Sequence, residues 1–192
     1  MRIEGLILAA GLSSRAPNFK MTLPFGEITV LESAIKSMLP HCERIVVVGG
    51  HQQERLVAIC QNYDAVELVV NEAYQEGMFS SIKCGLAHLK CDRFFMMPGD
   101  YPMIGSAVYE RLLSQGGAVV IPSYNKRAGH PILIEGTYIE SCLQEDAFRT
   151  MRDFIKTLEV HYVTVLDEGI LMDLDTGEDY EKMKRRYKVA NK

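Results

Sequence analysis

The chain contains no tryptophan, little aromatic residue (8%), no Cys-x-x-Cys pair and no basic excess, since its formal net charge is −4. Each absence excludes something. Without a basic surplus, a general nucleic-acid binder is excluded, although basic residues gathered locally would still hold a polyanionic ligand. Five cysteines, Cys42, Cys60, Cys84, Cys91 and Cys142, are odd in number and irregular in spacing. That pattern excludes a disulfide framework or a zinc site and fits buried thiols in a reducing cytoplasm. No apolar stretch approaches a membrane span. Arg2 precedes a short apolar run, but Glu4 interrupts it and Ser13-Ser14-Arg15 ends it, so it does not read as a signal peptide. Also missing are G-x-x-x-x-G-K-[ST], the P-loop signature, and G-x-G-x-x-G, the usual dinucleotide fingerprint.

What remains is an ordinary globular composition, 47% hydrophobic and 24% charged over 192 residues. That length fits one domain, taken here as 1–192. Short apolar runs recur: "GLILAA", "RIVVVGG", "AVELVVN", "RFFMMPGD" and "AVVIPSY". They read as strands covered on both faces. Helical spacing appears between them, over Leu31 to Leu39, Gln52 to Tyr63, Phe79 to Leu89 and Ser106 to Leu113. Strands alternating with helices predict a mostly parallel α/β sheet with helices on both faces. After Pro122 the expectation is a strand at "GHPILIEG", helices from Thr137 to Leu143 and Ala147 to Leu158, a strand at "VHYVTV", an extended "ILMDLD" and a helix from Tyr180 to Tyr187. This half adds mixed or antiparallel strands to the same sheet.

In such a sheet ligands bind at the carboxyl ends of the strands. The conspicuous residues fall there: "AAGLSSR" after the first strand, Gly49, Gly50 and His51 after the second, "NEAYQEGMFSS" after the third and "PGDYP" after the fourth. The first loop offers small residues and open backbone amides, then Arg15 and Lys20, which suits a phosphate chain. It also reads as a tight turn with surface cations. Asp100 follows a strand apolar enough to be central, where a carboxylate needs a partner or a metal; a local Asx-turn is the plainer account. Asp173 and Asp175 in "MDLDTGEDY" would complete a Mg²⁺ site with it, while Thr176, Glu178 and Asp179 read as helix-start residues. His130 stands between Gly129 and Pro131 in "SYNKRAGHP". Together with Lys126 and Arg127 it is a candidate for binding a phosphorylated acceptor, and those two cations also read as a solvated turn.

The ordered set "LAAGLSSR", Lys20, "EGMFSSI", "PGDYP", "GHP" and "DLDTGEDY" resembles the molybdenum-cofactor nucleotidyltransferase family, most closely its cytidylyl-transferring branch. The resemblance spans Leu8 to Tyr180. It implies a Rossmann-like sheet of the nucleotide-diphospho-sugar transferase type. The implied activity is transfer of a nucleoside monophosphate from a nucleoside triphosphate to a phosphate, with release of pyrophosphate. Carried onto this sequence, Leu8, Ala9, Ala10 and Gly11 contact the nucleotide through their backbone. Arg15 and Lys20 hold the triphosphate, Gly77, Ser80 and Ser81 line base and ribose, and Asp100 with Asp175, or Asp173 in reserve, holds Mg²⁺. "LAAG" is similar to cytidine users, whereas guanosine users read "LAGG". The departures are "RAPNFK" after the first loop, Tyr101 where the family has glutamine, and Gly177 where it has proline. These bear on the acceptor and the nucleotide more than on the reaction. The resemblance therefore implies CMP transfer from CTP to molybdopterin. Three other readings stay open: a cytidylyl- or uridylyltransferase acting on a sugar or alcohol phosphate, a non-catalytic protein that delivers the cofactor to a molybdenum hydroxylase, and a regulatory module that binds a nucleoside triphosphate without any acceptor.

Overall fold

The computed structural model describes residues 1–11, 19–144 and 148–190, the last three by backbone alone. The chain opens with β1 (Ile3–Leu8), followed by a small antiparallel hairpin of β2 (Pro24–Phe25) and β3 (Ile28–Thr29). Helix α1 (Val30–Met38) starts at Thr29, whose side chain accepts from the Glu32 amide while the Glu32 carboxylate accepts from the Thr29 amide. Two orphan donors are thereby satisfied at once, which sets the start of the helix. Then come β4 (Arg44–Gly49), α2 (Glu54–Cys60), β5 (Val66–Val70), α3 (Met78–Leu86), β6 (Arg93–Pro98), α4 (Ser106–Leu113) and β7 (Val119–Tyr124). The remainder supplies β8 (Arg127–Ala128), β9 (Ile132–Glu135), α5 (Ile139–Gln144), α6 (Met151–Ile155), β10 (Val160–Thr164) and α7 (Gly177–Ala190).

The main sheet runs β10-β7-β9-β6-β1-β4-β5, with β8 paired to β7. β1 is central, and Leu6 lies opposite Val46 on one side and Met96 on the other. β1, β4, β5 and β6 are parallel, β10 is parallel to β7, and β9 runs antiparallel between β6 and β7. The alternation of side chains splits the core between the two faces. Ile7, Val47 and Phe95 face α1, α2 and α4 through Ile35, Leu56 and Leu112. Leu6, Val48 and Phe94 face α3 and α6 through Leu86 and Phe154. At the opposite end of the sheet from the candidate loops, the buried Glu4 carboxylate is held by Arg2, Arg44 and the Lys90 amide. Burial works to raise its pKa, but the Lys90 amide and Arg44 outweigh it and hold it low.

The mixed α/β sheet and its two helical layers are as expected from sequence, and the later half differs in detail. The helix expected over Ala147 to Leu158 is shorter, because Thr150 caps a new start by accepting from the Asp153 amide. The Thr137 to Leu143 segment divides into a 3-10 turn (Gly136–Tyr138) and α5. "ILMDLD" is not extended at its start: Asp167 accepts from the Gly169 amide and begins a 3-10 turn over Glu168–Leu171. A separate small core of Phe25, Val30, Met172, Leu174 and Met183 fastens α7 to the hairpin, and Tyr180 donates to the Pro24 carbonyl. Among the described residues no helix is long and apolar enough to cross a membrane.

Candidate functional site

At the carboxyl ends of β1, β5 and β6 lies a cleft of about 290 Å³. Leu8, Ala10 and Gly11 line it from β1, Tyr74, Gly77 and Ser81 from the loop into α3, and Pro98 and Asp100 from β6. A larger open groove of about 650 Å³ separates α4 from residues 164–167. Among the described residues its one carboxylate, Asp167, is already committed to the Gly105 and Gly169 amides, and none of the expected residues lines it. Chemistry, not volume, therefore picks the smaller cleft.

The α3 wall is built by a polar knot. Asn71 directly follows β5 and is 6% exposed. Its Oδ1 accepts from the Ala73 amide at 3.0 Å, and its Nδ2 donates to Ser80 Oγ at 2.9 Å and Ser81 Oγ at 3.0 Å. Ser80 Oγ is also within donating range of the Ala73 carbonyl at 3.0 Å and the Gly77 carbonyl at 2.8 Å. Gly77, at φ 104°, turns the chain from a 3-10 turn (Tyr74–Glu76) into α3. That backbone region favours glycine, so the reason for this residue is conformational; a Cβ there would meet no described neighbour within 4 Å. Across the cleft Gly50 is required by contact: a Cβ would lie 2.7 Å from Tyr74 Cβ and 3.0 Å from Ala10 Cβ.

At the mouth of the cleft, residues distant in sequence meet. Lys20, 7% exposed, donates through Nζ to Asp175 Oδ1 at 2.8 Å and lies 3.7 Å from Asp100 Oδ2. The Leu174 amide donates to the Asp100 carbonyl, which seats the C-terminal acidic segment beside the β6 loop. Burial pushes the Asp100 carboxyl up to about 6, against the opposing pull of the Lys20 ammonium. Among the described residues nothing hydrogen-bonds its Oδ1, which is sealed from solvent. A sealed, unpartnered carboxylate oxygen beside a second carboxylate is a donor set that suits a hard divalent cation. Among the described residues no three or more His, Cys, Asp or Glu side chains gather as a ready cage. Magnesium is commonly held by one or two carboxylates with substrate phosphates and water completing its shell, so Asp100 and Asp175 fit that ion.

Asp173 lies close enough to raise the phenol pKa of Tyr101, after burial and ahead of Asp100 and Asp175. The Tyr101 ring meets His130 edge-on at 4.9 Å. His130 differs from the cationic role expected for it. Burial pushes its imidazole down to about 4, and its sealed Nδ1 has no partner among the described residues, so at neutral pH it offers an acceptor no charge. Asn125 and Lys126, at φ 49° and 62°, form the exposed turn between β7 and β8, which places Lys126 away from the cleft. Arg127 reaches instead into a second cleft of about 140 Å³, shared with Asp173 and Lys182. Arg15 lies outside the described residues. Ala9, Ala10 and Leu8 are buried at the end of β1, and Ala9 N donates to the Val48 carbonyl. Asn71, Tyr74 and Lys182 were not singled out from sequence. Asn71 stood in view as the residue closing "AVELVVN", but nothing local shows that its amide reaches two serines.

The matching family model describes a MobA-like NTP transferase domain and covers residues 5–163. Among curated relatives, the molybdenum cofactor cytidylyltransferase of Escherichia coli is 29% identical over 96% of this chain and 97% of its own length. A probable molybdenum cofactor guanylyltransferase of Bacillus mycoides is 26% identical over 93% of this chain and 94% of its own. Nicotine blue oxidoreductase of Paenarthrobacter nicotinovorans is 28% identical over 97% and 96%. Among solved structures, a nucleotidyl transferase of Methanothermobacter superposes with a TM-score of 0.85 at 19% identity, covering 98% of this chain and 99% of that one. Rv0371c of Mycobacterium tuberculosis superposes with a TM-score of 0.83 at 23% identity, covering 96% and 97%. Identities this low carry the fold alone. With the family model spanning most of its length, the chain belongs to the MobA-like NTP transferase domain family.

Proposed function

We propose that the protein is a nucleotidyltransferase that moves a nucleoside monophosphate, CMP from CTP, onto the phosphate of molybdopterin or the molybdenum cofactor. The observation that carries this reading is Lys20 placed between Asp100 and Asp175 at the mouth of the Ser81 cleft. The similarity to the cytidylyltransferase of Escherichia coli supports the nucleotide and the acceptor. Cys42, Cys60, Cys84 and Cys91 are free thiols, which agrees with work in the cytoplasm.

In the proposed reaction an acceptor phosphate oxygen attacks the α-phosphorus in line. A new phosphorus–oxygen bond forms, the bond between the α-phosphorus and its bridging oxygen breaks, and pyrophosphate leaves with the electron pair. Both partners are anions, so the protein's work is alignment and charge neutralisation, not covalent catalysis. The β1 end and the α3 wall take the nucleoside. Asp100 and Asp175 would hold Mg²⁺, which when bound supplies positive charge to the phosphate oxygens. The Lys20 ammonium, already 2.8 Å from Asp175, is the described side chain best placed to meet the charge developing on pyrophosphate, with Arg15 as its proposed partner. Tyr101, uncharged and within the influence of Asp173, and Arg127, which shares a cleft with Asp173, are the proposed acceptor-side residues.

The deciding measurement is pyrophosphate release with Mg²⁺ and each of CTP, GTP, UTP and ATP, with molybdenum cofactor as acceptor. Turnover with CTP alone is expected. Release only with a sugar or alcohol phosphate would move the acceptor assignment. Nucleotide binding without release, with a molybdenum hydroxylase co-purifying, would replace the enzyme by a delivery protein.

A further inference from the structure

Asn71 is too well connected to be a simple strand terminator. Its Oδ1 is fixed by accepting from the Ala73 amide, so the orientation of the carboxamide is determined and Nδ2 must face the two serines. An amide nitrogen has two hydrogens. Both are engaged, one by Ser80 Oγ and one by Ser81 Oγ. The serine oxygens are therefore acceptors toward Asn71, and each must send its own proton elsewhere. Ser80 has carbonyl acceptors at Ala73 and Gly77. A helical serine often returns its proton to the carbonyl one turn back, which for Ser81 is that of Gly77, but among the described residues that carbonyl accepts from Ser80 at 2.8 Å and Ser81 makes no such bond. Ser81, 3% exposed and lining the nucleotide cleft, has no acceptor for its proton among the described residues.

We infer that Asn71 is a positioning residue that fixes Ser81 as a hydrogen-bond donor into the cleft, selecting a nucleoside with a neutral acceptor oxygen there. This rests on the nucleotide-binding reading above and adds the polarity of the contact. A pyrimidine ring carbonyl and a ribose hydroxyl share the required chemistry. A ring amino group at that point is rejected, because it would confront Ser81 with donor against donor.

The test is equilibrium binding of CTP with Mg²⁺, without acceptor, to the wild type, Ser81→Ala, Asn71→Asp and the double variant, with melting curves for each. Ser81→Ala should weaken binding about tenfold, the scale of one hydrogen bond. Asn71→Asp keeps the Ala73 contact but has no donors, so Ser81 turns its proton to the new carboxylate, and binding should weaken by a similar factor. In the Ser81→Ala background, Asn71→Asp should then add almost nothing. Simple charge repulsion or loosening of the loop would give the same loss in both backgrounds, and that result overturns the inference. So would wild-type affinity in Asn71→Asp. If Asn71→Asp does not fold, Asn71→Ala is read in the same cycle with the same criterion. Comparing 2-thio-CTP with 2′-deoxy-CTP identifies the acceptor: the analogue that loses affinity on wild type but not on Ser81→Ala lacks the oxygen that Ser81 meets. If neither analogue behaves so, Ser81 is not a donor to the nucleoside. A wild-type chain that binds no nucleoside triphosphate overturns the proposed function itself.

Discussion

Lys20 and Asp175 are 155 positions apart in the chain and 2.8 Å apart in space. Their contact closes the candidate site, because it draws the C-terminal acidic segment onto the β6 loop, with Asp100 3.7 Å from the same ammonium.

Replacing Lys20 by methionine should separate two roles. Turnover should fall by about a hundredfold or more, the scale of losing one electrostatic donor to a developing charge. Mn²⁺ binding in the absence of nucleotide should become tighter, because the ammonium no longer competes for the two carboxylates. Calorimetric titration of Mn²⁺ into the free protein checks this; unchanged or weaker metal binding would show that the lysine does not compete for that position.

Asp100→Asn should lower turnover by about a hundred- to a thousandfold while leaving the free protein at least as stable as wild type at pH 7. The physical reason is the sealed Oδ1, which has no hydrogen-bond partner among the described residues. An ionised carboxylate there is a burden on folding that an amide of the same shape lessens. Urea unfolding of both proteins at one pH gives the comparison.

Gly77→Ala should cost about 1 kcal/mol, the penalty for placing an L side chain in the left-handed region. No described residue stands within 4 Å of the added Cβ, so the cost lies in the backbone. For a chain of this size that corresponds to a drop of roughly 2–4 °C in Tm. Nucleotide affinity should fall as well, because the same backbone turn starts α3. A variant with wild-type Tm and affinity would contradict this account of the glycine.

His130 sets a pH dependence with a definite sign. Its folded-state pKa, pushed down to about 4 by burial, lies below the ordinary 6.5. The unfolded chain therefore binds a proton at pH 5 that the folded chain does not. The stability contributed by the neutral ring is present above pH 6.5 and is lost as pH falls from 6.5 toward 4. The difference in unfolding free energy between wild type and His130→Gln should shift against wild type between pH 7 and pH 5. A difference that stays constant would mean that the ring is protonated in the folded protein.

Much of the fold was legible in the sequence because its cause is local. Continuous apolar runs such as "RIVVVGG" make sense only as strands covered on both faces, and the helical spacing between them implied the crossovers. The misjudged elements turn on single capping contacts. Thr150 restarts a helix within a longer apolar pattern, and Asp167 tightens "DEGIL" into a 3-10 turn. A hydroxyl or carboxylate decides such boundaries by reaching one particular amide, which periodicity does not encode.

For the site, sequence by itself determined the inventory: small residues ending β1, glycine before α3, and carboxylates after β6 and near the C-terminus. Residue types that permit close backbone approach or carry charge declare themselves wherever they stand. The tertiary structure decided the partnerships. It set Lys20 against Asp100 and Asp175, packed His130, a candidate for binding an acceptor phosphate, against Tyr101 as a neutral ring, and joined Asn71 to Ser80 and Ser81. Proximity and burial arise only when distant segments pack, and they fix which side chain is charged and which hydroxyl has a proton left to give.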